Sequence, residues 1–189
     1  MIPKNTIFAL VGWMLLLVGL GAVSGAAFGP DAWFAALEKP TWNPPSWLFA
    51  PVWTTLYAAM GVSLWLVRRQ TAVGDVRRRR ALTLFTLQFA LNMLWTPVFF
   101  GLHSPALAFV IICALWAMIL ATAFAFHKVH AVASYLLVPY LLWVSFALVL
   151  VIKDAALYLW GPEDLLGPRA PGFTGALDIL GHRFPSYDL

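Results

Sequence analysis

Five stretches of this chain, 6–28, 45–67, 81–102, 105–126 and 131–152, each run for about twenty residues without one Asp, Glu, Lys or Arg. A helix needs roughly 20 apolar residues to cross the hydrocarbon of a bilayer, and five such runs separated by short breaks leave few alternatives. A soluble domain carries about 25% charged residues, whereas this chain carries 11%. The expected fold is therefore all-α, a five-transmembrane-helix bundle. Only Lys4 precedes the first run. That run exceeds the roughly 7–15 residues of a signal-peptide core and reads as a retained helix. Short linkers predict antiparallel neighbours packed as one unit, giving a transmembrane domain over 1–152. The tail 153–189 contains Gly161, Pro162, Gly167, Pro168, Pro171 and Gly172, and is expected to lie outside the membrane.

The charges set a topology. Lys4, Arg68, Arg69, Arg77 to Arg80 and Lys128 fall at one end of a five-span bundle, and Lys39 falls at the other. Positive residues stay on the cytoplasmic side, which places the N-terminus inside and favours a bacterial inner membrane; an outer-membrane setting would void this count. The net charge of +4 does not point to nucleic acid, because the arginines gather between two apolar runs. Cys113 is the single cysteine, so neither a disulfide nor a cysteine metal site is expected. His103, His127 and His130 fall between runs, either as solvated residues or as groups that approach a haem iron from outside; no resident metal is expected. No standard catalytic motif is present, so the reading leans toward a binder while leaving an enzyme open.

With charge absent from the spans, the few polar and amphipathic residues carry the functional question. Gln88 and Asn92 are four apart on one helical face, and Trp95 continues it. An amide in hydrocarbon must find a partner, either another helix or a ligand. Trp53 and Tyr57 are likewise four apart, and Tyr140, Trp143 and Ala147 follow an i, i+3, i+7 course. These aromatics either belong to interfacial belts or line a pocket; Trp53, Asn92 and Trp143 lie about eight to twelve residues inside their spans, deeper than a belt requires. Pro51, Pro97 and Pro139 each free a backbone carbonyl near a span end. Gly21 and Gly25 lie at the spacing that allows close helix contact, inside one molecule or between two.

Three segments then matter together: "KPTWNPPSWLFAPVWTTLY" at 39–57, "QFALNMLWTPVFF" at 88–100 and "VPYLLWVSFA" at 138–147. In order and spacing they resemble the tryptophan-rich sensory protein family, whose mammalian members are called translocator protein or peripheral benzodiazepine receptor. The resemblance implies a five-helix homodimer that binds porphyrins such as protoporphyrin IX and haem, sterols, and isoquinoline or benzodiazepine drugs, with no obligatory cofactor. By the same resemblance Trp53 and Asn92 hydrogen-bond the ligand, while Trp143, Phe89, Tyr57, Pro44 and Ala147 line or shape the cavity. The proline-rich segment then becomes a stiff lid, with Trp42 and Trp47 offering stacking surface at the entrance. The family's sterol pattern needs a basic residue within about five positions of its tyrosine, and Tyr140 is thirteen residues from Lys153. Sterol binding at the last helix is therefore not expected. Three functions stay open: a tetrapyrrole or stress sensor, a transporter of porphyrin or lipid, and an enzyme that degrades porphyrin in light at Trp143.

Overall fold

A computed structural model describes residues 4–37, 43–70, 74–160, 176–179 and 182–185. Its helices are α1 (Lys4–Ala27), α2 (Ala32–Ala36), α3 (Ser46–Arg68), α4 (Asp75–Thr96), α5 (Pro105–His127), α6 (Ala131–Tyr135) and α7 (Val138–Trp160). Five stretches are long and apolar enough to cross a membrane: Thr6–Ala27, Ser46–Arg68, Val76–Gly101, Pro105–His127 and Ala131–Leu150. The protein is an all-α integral membrane bundle with five such segments, as the apolar runs require.

Helix ends depart from the apolar boundaries in instructive ways. Arg77 to Arg80 form the first turns of α4, not a loop. Arginine is a good helix former, so the change in hydropathy at residue 81 marks a membrane boundary rather than a helix boundary. Arg78 donates from Nη1 to the Gln70 carbonyl at 3.0 Å, while Arg68 and Arg69 lie 4.8 and 4.5 Å over the rings of Trp13 and Trp65. At its other end α4 meets Pro97 and continues as one π-helical turn, Pro97–Gly101, in which the Leu102 N–H reaches the Pro97 carbonyl at 2.9 Å. Proline lacks the N–H that α-helical bonding would need at this point. Pro139 acts similarly on the last span, which breaks into α6 and α7 around residues 136–137. Pro51 is tolerated inside α3.

Helix α7 continues to Trp160, so the expected domain boundary at 152–153 lies inside it. The chain forms two compact units, Met1–Ala156 and Leu157–Leu189. The second holds a two-stranded antiparallel ladder, β1 (Ala176–Ile179) and β2 (His182–Pro185), with Ala176 opposite Pro185 and Ile179 opposite His182.

Small residues set how closely α1 and α3 approach, because lipid supplies no hydrophobic drive between helices. A Cβ added to Gly61 would stand 2.7 Å from the Met14 Cα and 2.9 Å from its nitrogen. A Cβ on Gly21 would run into the Tyr57 ring, whereas one on Gly25 would meet nothing within 4 Å. The contacts Trp13–Arg68, Met14–Gly61 and Gly21–Tyr57 descend α3 as they climb α1, so the pair is antiparallel. The expected seam through Gly21 and Gly25 thus holds at Gly21 only, and its closest approach to backbone is at Gly61. Gly25→Leu should leave the melting temperature of the detergent-solubilised protein unchanged, and Gly21→Leu should lower it; equal melting of both would place this face against lipid.

Candidate ligand site between three helices

The phenol of Tyr57 on α3 donates to Asn92 Oδ1 on α4 at 2.7 Å, and both side chains are buried. Rings close around this pair. Trp53 stacks on Tyr57 with centroids 5.2 Å apart and planes inclined 29°, and Phe89 stands edge-on to Tyr57 at 6.1 Å. Tyr140 of α7, fully buried, meets Trp53 edge-on at 6.2 Å. Trp143 lies one turn further along α7, flanked by Phe49 at 5.7 Å and Phe146 at 5.8 Å. Ala147 and Trp143 are half-buried against the same core.

Helical geometry explains this convergence. Phe49, Trp53 and Tyr57 repeat every fourth residue and share one face of α3. Gln88 and Asn92 do so on α4, opposite them. Gly21 on α1 leaves room behind the Tyr57 ring that a side chain would occupy. Five hydroxyls in the spans are consumed locally: Thr54, Thr55, Thr86, Thr122 and Ser145 donate to the carbonyl four residues back, at 2.7 to 3.0 Å. Ser63 reaches the Ala133 carbonyl at 2.6 Å, tying α3 to α6, and the Trp116 indole donates to Ser145 Oγ at 2.8 Å, tying α5 to α7. Three buried polar atoms lack a partner among the described residues: Gln88 Oε1, Trp95 Nε1 and Tyr140 Oη.

Not every expected site residue joins this cluster. Trp95 packs against the edge of this core, but its ring stacks on Phe99 at 4.8 Å, within a second aromatic group containing Trp33, Phe34 and Phe100. Pro44 is half-buried, and its carbonyl accepts from Asn43 Nδ2 at 3.1 Å. Trp47 is 71% exposed, away from the cluster. Trp42 lies outside the described residues. Two open grooves run along the outer face of α4, one beside Arg79, Thr83 and Leu87 and one beside Ala90, Leu94 and Met118. Their lining shares no residue with the aromatic cluster, where the rings pack directly on one another. A ligand entering there must part them. Sequence reasoning missed Phe49 and Phe146 as neighbours of Trp143, although the fourfold spacing of Phe49 from Trp53 was a signal.

A clip joins two loops at one end of the bundle. Asp31 caps α2 through Oδ1, which accepts the Phe34 N–H at 3.0 Å, and its Oδ2 lies 2.8 Å from His103 Nε2. The backbone N–H of Phe34, and then the His103 ring, hold the Asp31 carboxyl below its ordinary pKa of 3.8. His103 stacks on Trp33 at 4.5 Å and adopts φ 49°, a left-handed conformation in which histidine is several-fold enriched. This contact brings the α1–α3 and α4–α5 connections to one end, as five alternating spans demand. His103→Ala should speed amide exchange across residues 31–37; unchanged exchange would show that the α2 turn stands without the clip. His130 and His127 serve locally: His130 Nδ1 accepts the Ala133 N–H at 3.4 Å, and His127 meets the Tyr135 ring at 5.8 Å.

Comparison with known proteins decides the family. The family model described as TspO/MBR matches residues 9–154, most of the chain. The chain belongs to the TspO/MBR family. It is 38% identical to a tryptophan-rich sensory protein of Cereibacter sphaeroides over 143 residues, covering 76% of this chain and 87% of that protein. It is 44% identical over 133 residues to the tryptophan-rich protein TspO of Chlorobaculum tepidum, covering 66% of this chain and 80% of that one. The translocator protein of Bos taurus is 39% identical over 135 residues, covering 70% and 80%. In this TspO/MBR chain the matched region contains all the residues of the aromatic cluster and stops within α7.

Proposed function

We propose that the protein is a membrane receptor for flat, largely apolar ligands of the porphyrin class, protoporphyrin IX and haem among them, and that it acts as a tetrapyrrole sensor. The observation that carries this reading is the buried Tyr57–Asn92 hydrogen bond within a cage of four further aromatic residues, Trp53, Phe89, Tyr140 and Trp143. Ring faces suit a planar macrocycle. The pair also uses only the amide oxygen of Asn92, which leaves its N–H donors for a ligand carbonyl or carboxylate. Ligand entry exchanges ring-on-ring contacts for ring-on-ligand contacts, so the cage tolerates an aromatic guest better than an aliphatic one. A change in the α3–α7 spacing on binding is the physical signal such a sensor would transmit.

The topology that fits this reading puts the arginine-rich end of α3 and α4 in the cytoplasm of a bacterial cell. Relatives bear both sensory and translocator names, and the two activities separate experimentally. Purified protein in sealed proteoliposomes should bind protoporphyrin IX saturably without moving it across the bilayer. Protein-dependent net flux would make the chain a transporter. Replacing Arg77 to Arg80 with glutamine should leave protoporphyrin affinity within about threefold, because that turn is outside the cage. A tenfold loss in a folded variant would overturn that assignment.

A further inference from the structure

Gln88 is 1% exposed, yet its amide is almost unused. Its Oε1 has no hydrogen-bond partner, and its Nε2 reaches only the Met60 sulfur at 4.0 Å. Thioether sulfur is a weak acceptor, and methionine swings aside easily, so both edges of the amide are open to a guest. Tyr140, wholly buried on the facing helix, carries a hydroxyl that makes no full hydrogen bond among the described residues, with the Asn92 amide as its polar neighbour. The two are joined through the same stripe of α3: Gln88 touches Met60, and Tyr140 meets Trp53. Asn92 lies one turn, about 6 Å, along α4 from Gln88. These orphaned groups therefore border the proposed ligand cage rather than a lipid face.

A primary amide offers a donor and an acceptor side by side. Its geometric complement is a group that offers an acceptor and a donor side by side, closing two hydrogen bonds at once: a neutral carboxylic acid or a lactam. An ionised carboxylate is no complement, since it has no proton to give Oε1. The flanking spans also carry no Lys or Arg from 81 to 127 or from 131 to 152 to neutralise one. We infer that Gln88 anchors a subsite for the neutral carboxylic acid or lactam edge of a planar ligand, with the Tyr140 hydroxyl as an additional polar contact. This inference rests on the ligand-binding reading above and names the ligand chemistry that the same cage selects.

Protoporphyrin IX and its dimethyl ester separate the cases, because the ester keeps the ring and the carbonyl acceptors but has lost the acid O–H. Both are titrated by tryptophan quenching into nanodiscs holding the parent, Gln88→Leu or Gln88→Met. At about pH 5, where much of the acid is protonated, the parent should favour the free acid by about tenfold, and by less at about pH 8, where the acid is ionised. In both variants the preference should shrink to about one, with ester affinity within about threefold of the parent and with no loss of melting temperature, since an unpaired buried amide has been removed. Gln88→Met keeps the length of the side chain against Met60, so a Gln88→Leu variant that fails to fold does not end the test. Equal binding of acid and ester by the parent would overturn the subsite. So would parallel loss of both ligands in the variants, which would make Gln88 a structural residue. If the parent binds neither, the ligand-binding reading itself fails and the subsite falls with it.

Discussion

Asn92→Leu should weaken binding of a carbonyl- or carboxyl-bearing porphyrin by about five- to 150-fold, the equivalent of about 1–3 kcal/mol for one buried hydrogen bond. Asn92 is 4% exposed and bonded to Tyr57, so the substitution acts twice. It removes the amide that would meet the ligand, and it leaves the Tyr57 phenol buried without an acceptor. The unliganded protein should therefore also melt lower, while Tyr57→Phe in the Asn92→Leu background should restore the melting temperature without restoring affinity. Binding is read by tryptophan quenching and stability by thermal denaturation. Parent-like affinity for protoporphyrin IX in Asn92→Leu would remove α4 from the site.

Gly61→Leu should be the most damaging single change to the fold. The added side chain would point at the Met14 backbone, with its Cβ 2.7 Å from a Cα that cannot swing aside as a side-chain tip would. Overpacking in a close-packed interior costs about 1–3 kcal/mol, occasionally more, and a backbone obstacle belongs at or above the upper end. Helices α1 and α3 must separate, which withdraws the support behind Tyr57 and disturbs the ligand cage as well. Thermal melting and size-exclusion elution in detergent should both change. A Gly61→Leu protein that melts with the parent would contradict the packing of α1 on α3.

What could be read beforehand followed from what the bilayer forces on a chain. The five spans were legible because backbone in hydrocarbon must be helical over about 20 residues. The helical start at Asp75 was not, since arginines alter hydropathy without breaking a helix. The faces of α3 and α4 were legible from fourfold spacing, which aligned Trp53 with Tyr57 and Gln88 with Asn92. Trp47, read from the sequence as stacking surface at the entrance, is 71% exposed and stands about 240° around the helix from Trp53. Long-range partners were not legible. Nothing near Gly61 announces Met14, and nothing near Tyr57 announces Asn92, because each pairing depends on the register between helices. The turn of Trp95 toward Phe99 likewise depends on the π-helical turn that Pro97 imposes.

The central claim is that one flat ligand binds among α3, α4 and α7. It is tested most directly by titrating protoporphyrin IX into nanodiscs holding the parent or the combined Trp53→Phe, Asn92→Leu, Trp143→Phe variant, with circular dichroism confirming that both are helical. Absorbance of the bound porphyrin reports binding in both proteins. The account predicts saturation at one ligand per protomer for the parent and only linear, non-saturating partitioning for the variant. Saturation of both proteins with the same dissociation constant would contradict it.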